Sequence, residues 1–497
     1  MAEAALHLDG RSLTVDALAT AARGGIPVDL SPQGWAQVDA GRAVVQELID
    51  SGRPAYGVTT GFGSQKDYKV DAADRARFSR QVIIGHATVA GPDRLPDAAV
   101  RAGQIVLINA FATGIPGVSR ELVQALLRRL SEGPLPALNG EGSVGASDLV
   151  PHAQAALAIL GADQPLDGAA GNGTAYELKP KEALSLMNCN ALSLGHAAVA
   201  AAEARRLARH LDMVAALSLE GFRGAAGAFD LALQRLHPQP GQAESLRRIG
   251  AMLQGSRLWQ PGASRFLQDP LSFRCASQFH GTVHSALQWL RENLEAEINS
   301  AQDNPAVDIA ERRLISCGNM DTSLISVGFD TLRQALTIAL NGSANRLHKL
   351  HWPSFSGLPH GLAAEGSAVG GVQFLNFSHI AEAQAAIVRH AAQPVAATYQ
   401  GQLADGVEDH GAFLPLAVQE TGRLLQAGWI MLTLEALTAA WSVRRREVPR
   451  GALGRGAVGL FDLLSPHLPI GSEGESVFDL RPLTALLRDA EPIDGDC

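Results

Sequence analysis

Cysteine is scarce in this chain of 497 residues, and its scarcity argues against two classes of protein. The four cysteines stand far apart, at Cys189, Cys275, Cys317 and Cys497. Disulfide-stapled domains need many cysteines, and structural zinc sites need closely spaced thiolates. Apart from the run Glu408-Asp409-His410, histidines do not group with cysteines or carboxylates at metal-ligand spacing. We therefore expect no metal, and nothing in the sequence calls for a nucleotide.

An excess of positive charge and long apolar runs are also missing. The net charge of -9 argues against nucleic-acid and anionic-membrane partners. The first 25 residues carry acidic side chains and no uninterrupted apolar core, so we expect no secretory signal. The segment most like a membrane span, Leu424 to Val443, contains Gln426 and Glu435, which favours a buried helix. A cytoplasmic location follows as the expectation.

Helical patterning is what the chain has in abundance. Apolar residues recur every three or four positions in several long segments rich in Ala and Leu. These are Val100 to Thr113, Arg120 to Leu130, Asn190 to Leu217, Gln278 to Ile298, Thr322 to Leu350, Gln373 to Ala392 and Leu416 to Arg446. We predict a mainly α fold, with a loop-rich part over 1–188 and a helical bundle over 189–497. Because some helices lack a polar face, other subunits are expected to cover them.

The most informative stretch is the glycine-rich segment Gly142 to Pro151, which reads Gly-Ser-Val-Gly-Ala-Ser-Asp-Leu-Val-Pro. Its glycines, with Gly140, formally match a dinucleotide-binding fingerprint, but no buried strand precedes them. Ser143 lacks the first glycine of a nucleophile elbow. In its simplest interpretation the segment is a loop that caps a helix beginning at Ser147 or Asp148, since both residue types are good N-caps.

The same segment resembles Gly-Ser-Val-Gly-Ala-Ser-Gly-Asp-Leu-Ala-Pro of the aromatic amino acid ammonia-lyases and the related 2,3-aminomutases. In that family the Ala-Ser-Gly triplet cyclises and loses water to give methylidene-imidazolone (MIO), an electrophile made of backbone. The resemblance implies that MIO forms from Ala146 and Ser147, with Asp148 standing where the family has glycine.

Other segments resemble the family in the same order along about 350 residues, which is more specific than one motif. The segment Tyr56 to Gly63 is similar to the family's Tyr-Gly-x-Asn-Thr-Gly-Phe-Gly. The segment Gln268 to Cys275 is similar to Gln-Asp-x-Tyr-Ser-x-Arg-Cys. The remaining matches are Gly85-His86-Ala87, Asn188-Cys189-Asn190, Gln278, Asp303-Asn304-Pro305, Cys317-Gly318-Asn319 and Glu408-Asp409-His410.

The resemblance implies a helical fold of the ammonia-lyase/fumarase type and a homotetramer that eliminates ammonia from an α-amino acid. Tyr56 would remove the β-proton, and its site must then stabilise the phenolate. Arg274 would grip the substrate carboxylate, with Asn304 as a second donor and Gln278 beside them. Asn188 would bond the oxygen of the electrophile.

Substrate choice is expected to depend on His86 and Glu408, which stand at the family's selectivity positions. Both offer polar partners to an imidazole, whereas an aromatic ring would call for apolar residues. L-Histidine is therefore the leading substrate, with urocanate as the product. A 2,3-aminomutase and a catalytically silent homologue remain as alternatives.

Three departures from the family pattern bear on this expectation. The glycine after Ser147 is absent, and a Cβ at Asp148 would hinder ring closure. Either a fused group of three residues is written in this sequence as fewer residues, or the chain cannot make the electrophile. Leu271 replaces a tyrosine thought to position the amine, and it has no donor or acceptor. Cys189-Asn190 and Met320-Asp321 also differ from the family, which indicates altered specificity.

Overall fold

The computed structural model describes residues 5–52, 56–60, 71, 74–164, 166, 168, 176–363, 371–398, 401–468 and 477–492. Helices make up most of these ranges, and the strands are only three residues long. Two compact units are formed. The first comprises 1–202, 290–329 and 394–419, and the second comprises 203–289, 330–393 and 420–497.

The α-helices, in chain order, are α1 (Val15–Ala22), α2 (Pro32–Asp50), α3 (Arg75–His86), α4 (Asp97–Phe111), α5 (Arg120–Glu132), α6 (Leu149–Leu157), α7 (Glu182–Met187), α8 (Ala191–Phe222), α9 (Leu233–Leu236), α10 (Pro240–Met252), α11 (Leu271–Arg274), α12 (Ala276–Ile298), α13 (Ser323–His351), α14 (Pro353–Ser356), α15 (Val372–Ala391), α16 (Leu414–Arg445), α17 (Arg455–Leu464) and α18 (Arg481–Asp489). The strands are β1 (Leu6–Leu8), β2 (Val28–Leu30), β3 (Ala306–Asp308) and β4 (Arg313–Ile315). Strands β1 and β2 pair in parallel, and β3 and β4 pair antiparallel.

In the first unit, local sequence signals account for where helices begin. The Thr14 hydroxyl accepts a hydrogen bond from the Ala17 amide at the start of α1. The Ser31 hydroxyl caps α2 in the same way, with Pro32 in the first turn. Helices α4 and α8 touch at Gly195, where a Cβ would lie 2.2 Å from the Gly103 nitrogen. Only glycine permits two backbones to approach so closely.

In the second unit, a buried ion pair joins three long helices. The Arg346 guanidinium of α13 donates to both carboxylate oxygens of Glu435 in α16, at 2.6 and 3.0 Å. The Ser218 hydroxyl of α8 donates to the same carboxylate at 2.6 Å. Because an isolated buried charge is costly, each partner requires the other, and the three helices are held in register.

The predicted helices are confirmed with small shifts at their ends. The segment Asn190 to Leu217 becomes α8, and Leu416 to Arg446 becomes α16. By length and composition α16 could cross a membrane, but its apolar window is mostly buried in the protein, as expected of a core helix. The division near Asn188 stays a prediction.

Candidate active site

A cavity of about 850 Å³ lies in the first unit, and most of the predicted site residues line it. Its lining, over the described part of the chain, is Tyr56, Val82, Gly85, His86, Ala146, Leu149, Leu184, Met187, Asn188, Asn304, Gly318, Met320, Asp321, Ala404, Val407, Glu408, Asp409 and His410. Five predicted side chains, those of Tyr56, His86, Asn188, Asn304 and Glu408, are thus brought together from segments far apart in sequence. The motif residues after Thr60, from Gly61 to Gly63, lie outside the described residues.

Ala146 and Ser147 form a tight turn at the wall of this cavity. Ser147 has a φ of 75°, a left-handed conformation that is uncommon for a residue with a side chain. Gly145, the residue just before the turn, has a φ of 77°, and a Cβ there would lie 2.7 Å from the Phe413 nitrogen. Ala146 also forms an isolated β-bridge with Asp321. The turn is therefore fixed by its neighbours on both sides.

Asn188 connects this turn to the next segment of the site. Its side-chain oxygen accepts a hydrogen bond from the Ser147 hydroxyl at 2.8 Å. Its amide nitrogen donates to the Asn304 carbonyl oxygen at 2.9 Å. The Asn304 side-chain oxygen accepts from the Cys317 amide at 3.0 Å. Asn188 thus has both ends of its amide engaged, and its oxygen holds a serine hydroxyl.

Asp148 follows the turn directly and is the N-cap residue of α6, yet its carboxylate does not cap the helix. It accepts hydrogen bonds from the Ser143 hydroxyl at 2.8 Å, from the Ser193 hydroxyl at 2.6 Å and from the Ser193 amide at 2.8 Å. Burial raises the pKa of this carboxyl, and the bonds from Ser193 and Ser143 act in the opposite direction. The Asp148 amide itself donates to the Cys189 carbonyl at 2.8 Å.

His86 and Glu408 present hydrogen-bond acceptors at the cavity. The Nδ1 atom of His86 lies 2.8 Å from the Val82 carbonyl oxygen, at the end of α3. A carbonyl can only accept, so Nδ1 carries the hydrogen, and Nε2 of the neutral ring is an acceptor. Glu408 is half-buried, and its backbone pairs with Leu403 in an isolated bridge. Both groups suit a ligand that donates N–H groups.

Three predicted substrate-binding residues lie elsewhere, in the second unit. Leu271, Arg274 and Gln278 stand at helical spacing on α11 and the first turn of α12, and all three are exposed. They are absent from the cavity lining given above. Within one chain, therefore, the proposed carboxylate anchor and the proposed base do not share that lining.

Sequence reasoning missed the apolar wall of the cavity and the contact between His410 and Asp321. Leu149, Leu184 and Met187 line it, but an apolar helical residue looks the same in a sequence whether it faces a cavity or the core. The His410 imidazole lies 2.8 Å from the Asp321 carboxylate, and the two residues are 89 positions apart. Only the Met320-Asp321 departure pointed to this pair.

Comparison with known proteins places this helical fold and polar cavity in a class, the carbon–nitrogen lyases. A family model described as aromatic amino acid lyase matches residues 13–463. The histidine ammonia-lyase of Anaeromyxobacter dehalogenans is 33% identical over 72% of this chain and 75% of its own length. That of Stigmatella aurantiaca is 29% identical over 100% of this chain and 98% of its own. The crystal structure of the ergothioneine-degrading enzyme ergothionase from Treponema denticola has a TM-score of 0.89 and 27% identity, covering 97% of this chain and 98% of that one.

The chain belongs to the aromatic amino acid lyase family, and the mainly α fold is confirmed. It is a carbon–nitrogen lyase of the ammonia-lyase type, in a family whose members contain MIO.

The residues present do not fit that prosthetic group. Ring closure would need the Asp148 nitrogen to lose its hydrogen, which now bonds Cys189, and to move onto the Ala146 carbonyl carbon. The three hydrogen bonds of the buried Asp148 carboxylate oppose this movement. The family's glycine would have no side chain to hold it in place and no Cβ to hinder ring closure. Here α6 begins immediately after the turn.

Proposed function

We propose that this lyase eliminates an amine from an α-amino acid that carries an imidazole-type ring. The reaction of L-histidine to urocanate is the reference case. The single observation that carries the proposal is the cavity that gathers Tyr56, His86 and Glu408 from separate parts of the chain. An aromatic hydrocarbon ring would offer no N–H group to His86 or Glu408, so the hydrogen bonds that favour an imidazole ring would not form.

The relatives support an imidazole substrate. Several relatives are named histidine ammonia-lyases, and the structural neighbour from Treponema denticola degrades ergothioneine. Two acceptors at the cavity suit a ring with two N–H groups, as in protonated histidine or in the thione form of a 2-thioimidazole. His86 Nε2 would accept one of these bonds and the Glu408 carboxylate the other.

Tyr56 is the proposed base. The β-hydrogen of an amino acid is only weakly acidic, so a positioned proton acceptor is required. The Tyr56 phenolate oxygen would take this proton while the bond from the α-carbon to nitrogen breaks. Asn304, which lines the same cavity, would help to orient the substrate carboxylate. No step of this scheme depends on MIO.

Arg274 and Gln278 would complete the site from another subunit. Their exposure on α11 and α12 leaves the guanidinium available to a neighbouring copy. A guanidinium is the natural partner of a carboxylate because its planar fork can donate two parallel hydrogen bonds. We therefore propose a homotetramer with sites shared between subunits, and a cytoplasmic location. Leu271, on the same face, would contribute only apolar contact.

Three alternatives give different products or masses. A 2,3-aminomutase would return a β-amino acid. Formation of MIO from Ala146 and Ser147 would lighten the peptide across Gly142 to Val150 by two waters. A catalytically silent homologue would bind substrate without turnover. Product analysis and peptide mass spectrometry separate all three.

The experiment is an elimination assay with purified protein on a panel of imidazole and phenyl amino acids. We expect unsaturated acid from the imidazole compounds and little from L-phenylalanine. Tyr56→Phe removes the base and keeps the ring, so the rate should fall by about 10²- to 10⁴-fold. Retention of full activity in Tyr56→Phe, or a preference for the phenyl compounds, would contradict the proposal.

A further inference from the structure

A second cavity, of about 250 Å³, lies in the first unit and shares no described lining residue with the candidate active site. It is formed where α4, the last turns of α5 and the chain leading into β2 meet. Its walls are Arg101 from α4, Leu127 and Leu130 from α5, and Ile26, Pro27 and Val28 from the chain at β2. Gly25 and Ser131 complete the lining and are exposed, so a ligand can enter from water.

Arg101 is the charged residue of this lining, and three backbone carbonyls fix its guanidinium. Its Nε donates to the Ala21 oxygen at 2.9 Å, Nη1 to the Leu130 oxygen at 3.0 Å and Nη2 to the Ile26 oxygen at 3.3 Å. A guanidinium carries five N–H groups. The carbonyls therefore leave two of them, one on each terminal nitrogen, and the group that carries them is held in one place at the wall of the cavity.

The positive charge of Arg101 is not neutralised inside the described part of the chain. Its hydrogen-bond partners are neutral carbonyls, and no described carboxylate forms an ion pair with it. Burial lowers the pKa of Arg101, because the partly buried cation has lost water around it. A cation that has lost water without gaining an opposite charge is costly, so an anion in the cavity would be bound favourably.

The rest of the lining indicates what kind of anion would fit. Leu127, Leu130, Ile26, Pro27 and Val28 give the cavity a mainly apolar wall. An inorganic anion would leave that wall in contact with water, whereas an apolar body would bury it. Pockets for drug-sized ligands measure about 300–1,000 Å³, so this smaller cavity suits a compact molecule with one ring.

We propose that this cavity is a binding site for a small carboxylic acid with an apolar, ring-sized body. The carboxylate accepts from the two N–H groups of Arg101 that the carbonyls leave, and the apolar body packs against Leu127 and Leu130. Since the lining differs from that of the candidate active site, the acid binds without displacing an amino acid substrate.

The test is a ligand-detected NMR titration of the full-length protein with benzoate as the probe. Tyr56→Phe serves as the host protein, so that L-histidine can be added at high concentration without being consumed. We expect saturable binding of benzoate that L-histidine does not displace. Benzamide has the same shape and no charge, and it should bind at least about tenfold more weakly because charge-assisted hydrogen bonds are the stronger ones.

Two variants locate the bound benzoate. Ser131→Trp places a large side chain at the rim of the cavity, at an exposed position that the fold can tolerate, and should weaken binding at least about tenfold. Ser51→Trp is the matched control: Ser51 is also exposed at a helix end, and each serine hydroxyl donates to the carbonyl three residues before it. Arg101→Lys keeps the charge but loses the planar fork, so it should weaken binding as well.

Three results would overturn this inference. Benzoate and benzamide could bind equally well, which would show that Arg101 does not select an anion. Benzoate could bind Ser131→Trp as tightly as it binds the Ser51→Trp control, or L-histidine could displace it, and either result would place the probe outside this cavity. All three leave the proposed elimination reaction untouched, since that reaction is measured by its products.

Discussion

The glycine that is missing after Ser147 is the difference from the family's segment with the widest consequences, which spread through several hydrogen bonds. Where the family has glycine after serine, Ser147 here runs directly into Asp148. The buried Asp148 carboxylate binds Ser143 and Ser193, and its amide binds Cys189. The sequence predicts the steric obstacle, because Asp148 carries a Cβ where the family's glycine has none. The sequence does not predict that Asp148 is also held in place, because its hydrogen-bond partners include residues more than 40 positions away.

Glu408→Gln tests recognition of the substrate ring. The change removes the charge and keeps an oxygen acceptor, so the bond to a ring N–H weakens from charge-assisted to neutral. We expect kcat/KM on imidazole substrates to fall by about 10- to 100-fold, in line with 1.5–3 kcal/mol for a hydrogen bond to a charged group. Steady-state kinetics measure the effect, with Asp50→Asn, which removes a charge at an exposed position of α2, as the control. An unchanged preference for imidazole over phenyl substrates would show that Glu408 does not read the ring.

At the scale of elements, helices with a sustained apolar period follow from the sequence, whereas two helices that begin at a proline were missed. The periodic segments that became α8, α13 and α16 contain enough turns for the apolar spacing to be unambiguous. Helix α10 was missed because it begins at Pro240 inside a proline-rich stretch that looks like a loop, although proline is favoured in a first turn. The nineteen-residue α2 was missed in the same way, with Pro32 at its start and two glycines within it.

The candidate site likewise contains residues that motifs predict and contacts that they do not. Tyr56, His86, Asn188, Asn304 and Glu408 could be placed together because each stands in a motif that resembles the family's. The contact of His410 with Asp321 depends on how two loops meet, and no local pattern encodes it. Arg274 lies on α11 of the second unit and is absent from that lining, which its motif does not reveal.

Helix α6 carries a buried histidine that makes the stability of the fold depend on pH. Burial lowers the pKa of His152 to about 3, and its Nε2 accepts from the Leu192 amide at 3.4 Å. The unfolded chain takes up a proton near pH 6.5, whereas the folded chain does so only near pH 3. The contribution to stability is therefore complete above about pH 6.5 and is lost as the pH falls toward 3, at about 1.4 kcal/mol per pH unit.

His152→Gln should reduce this pH dependence. Urea unfolding at several values between pH 7 and pH 4.5 would measure the slope of the unfolding free energy, which should become shallower by about 1.4 kcal/mol per pH unit. His390→Gln, at an exposed position of α15, is the control and should leave the slope unchanged. Equal slopes in the wild type and His152→Gln would show that this histidine is not buried in its neutral form.

At the scale of the whole molecule, we propose that more than one copy of the chain builds each site. The cavity and Tyr56 belong to the first unit, while Arg274 belongs to the second and is exposed. Long helices carry exposed apolar side chains as well, among them Val327 and Ile338 of α13, which are 49% and 47% exposed. Such surfaces on a long helix favour contact with another subunit.

Shared sites predict complementation between inactive variants. Tyr56→Phe and Arg274→Gln should each be nearly inactive alone. After the two are unfolded together and reassembled, mixed oligomers contain some sites with both native residues, so part of the activity should return. Mixing Tyr56→Phe with Glu408→Gln is the control, because both residues line the cavity of the same chain. Recovery in the control, or a monomeric mass by light scattering, would contradict the shared site.

The most direct test of the central claim is product analysis of the wild-type protein given L-histidine and other imidazole amino acids together. We predict unsaturated acid accompanied by an equal amount of amine, and at least about 100-fold less product from the same mixture with Tyr56→Phe. Substrates that bind and are recovered unchanged from the wild-type protein would contradict the claim that this cavity catalyses elimination.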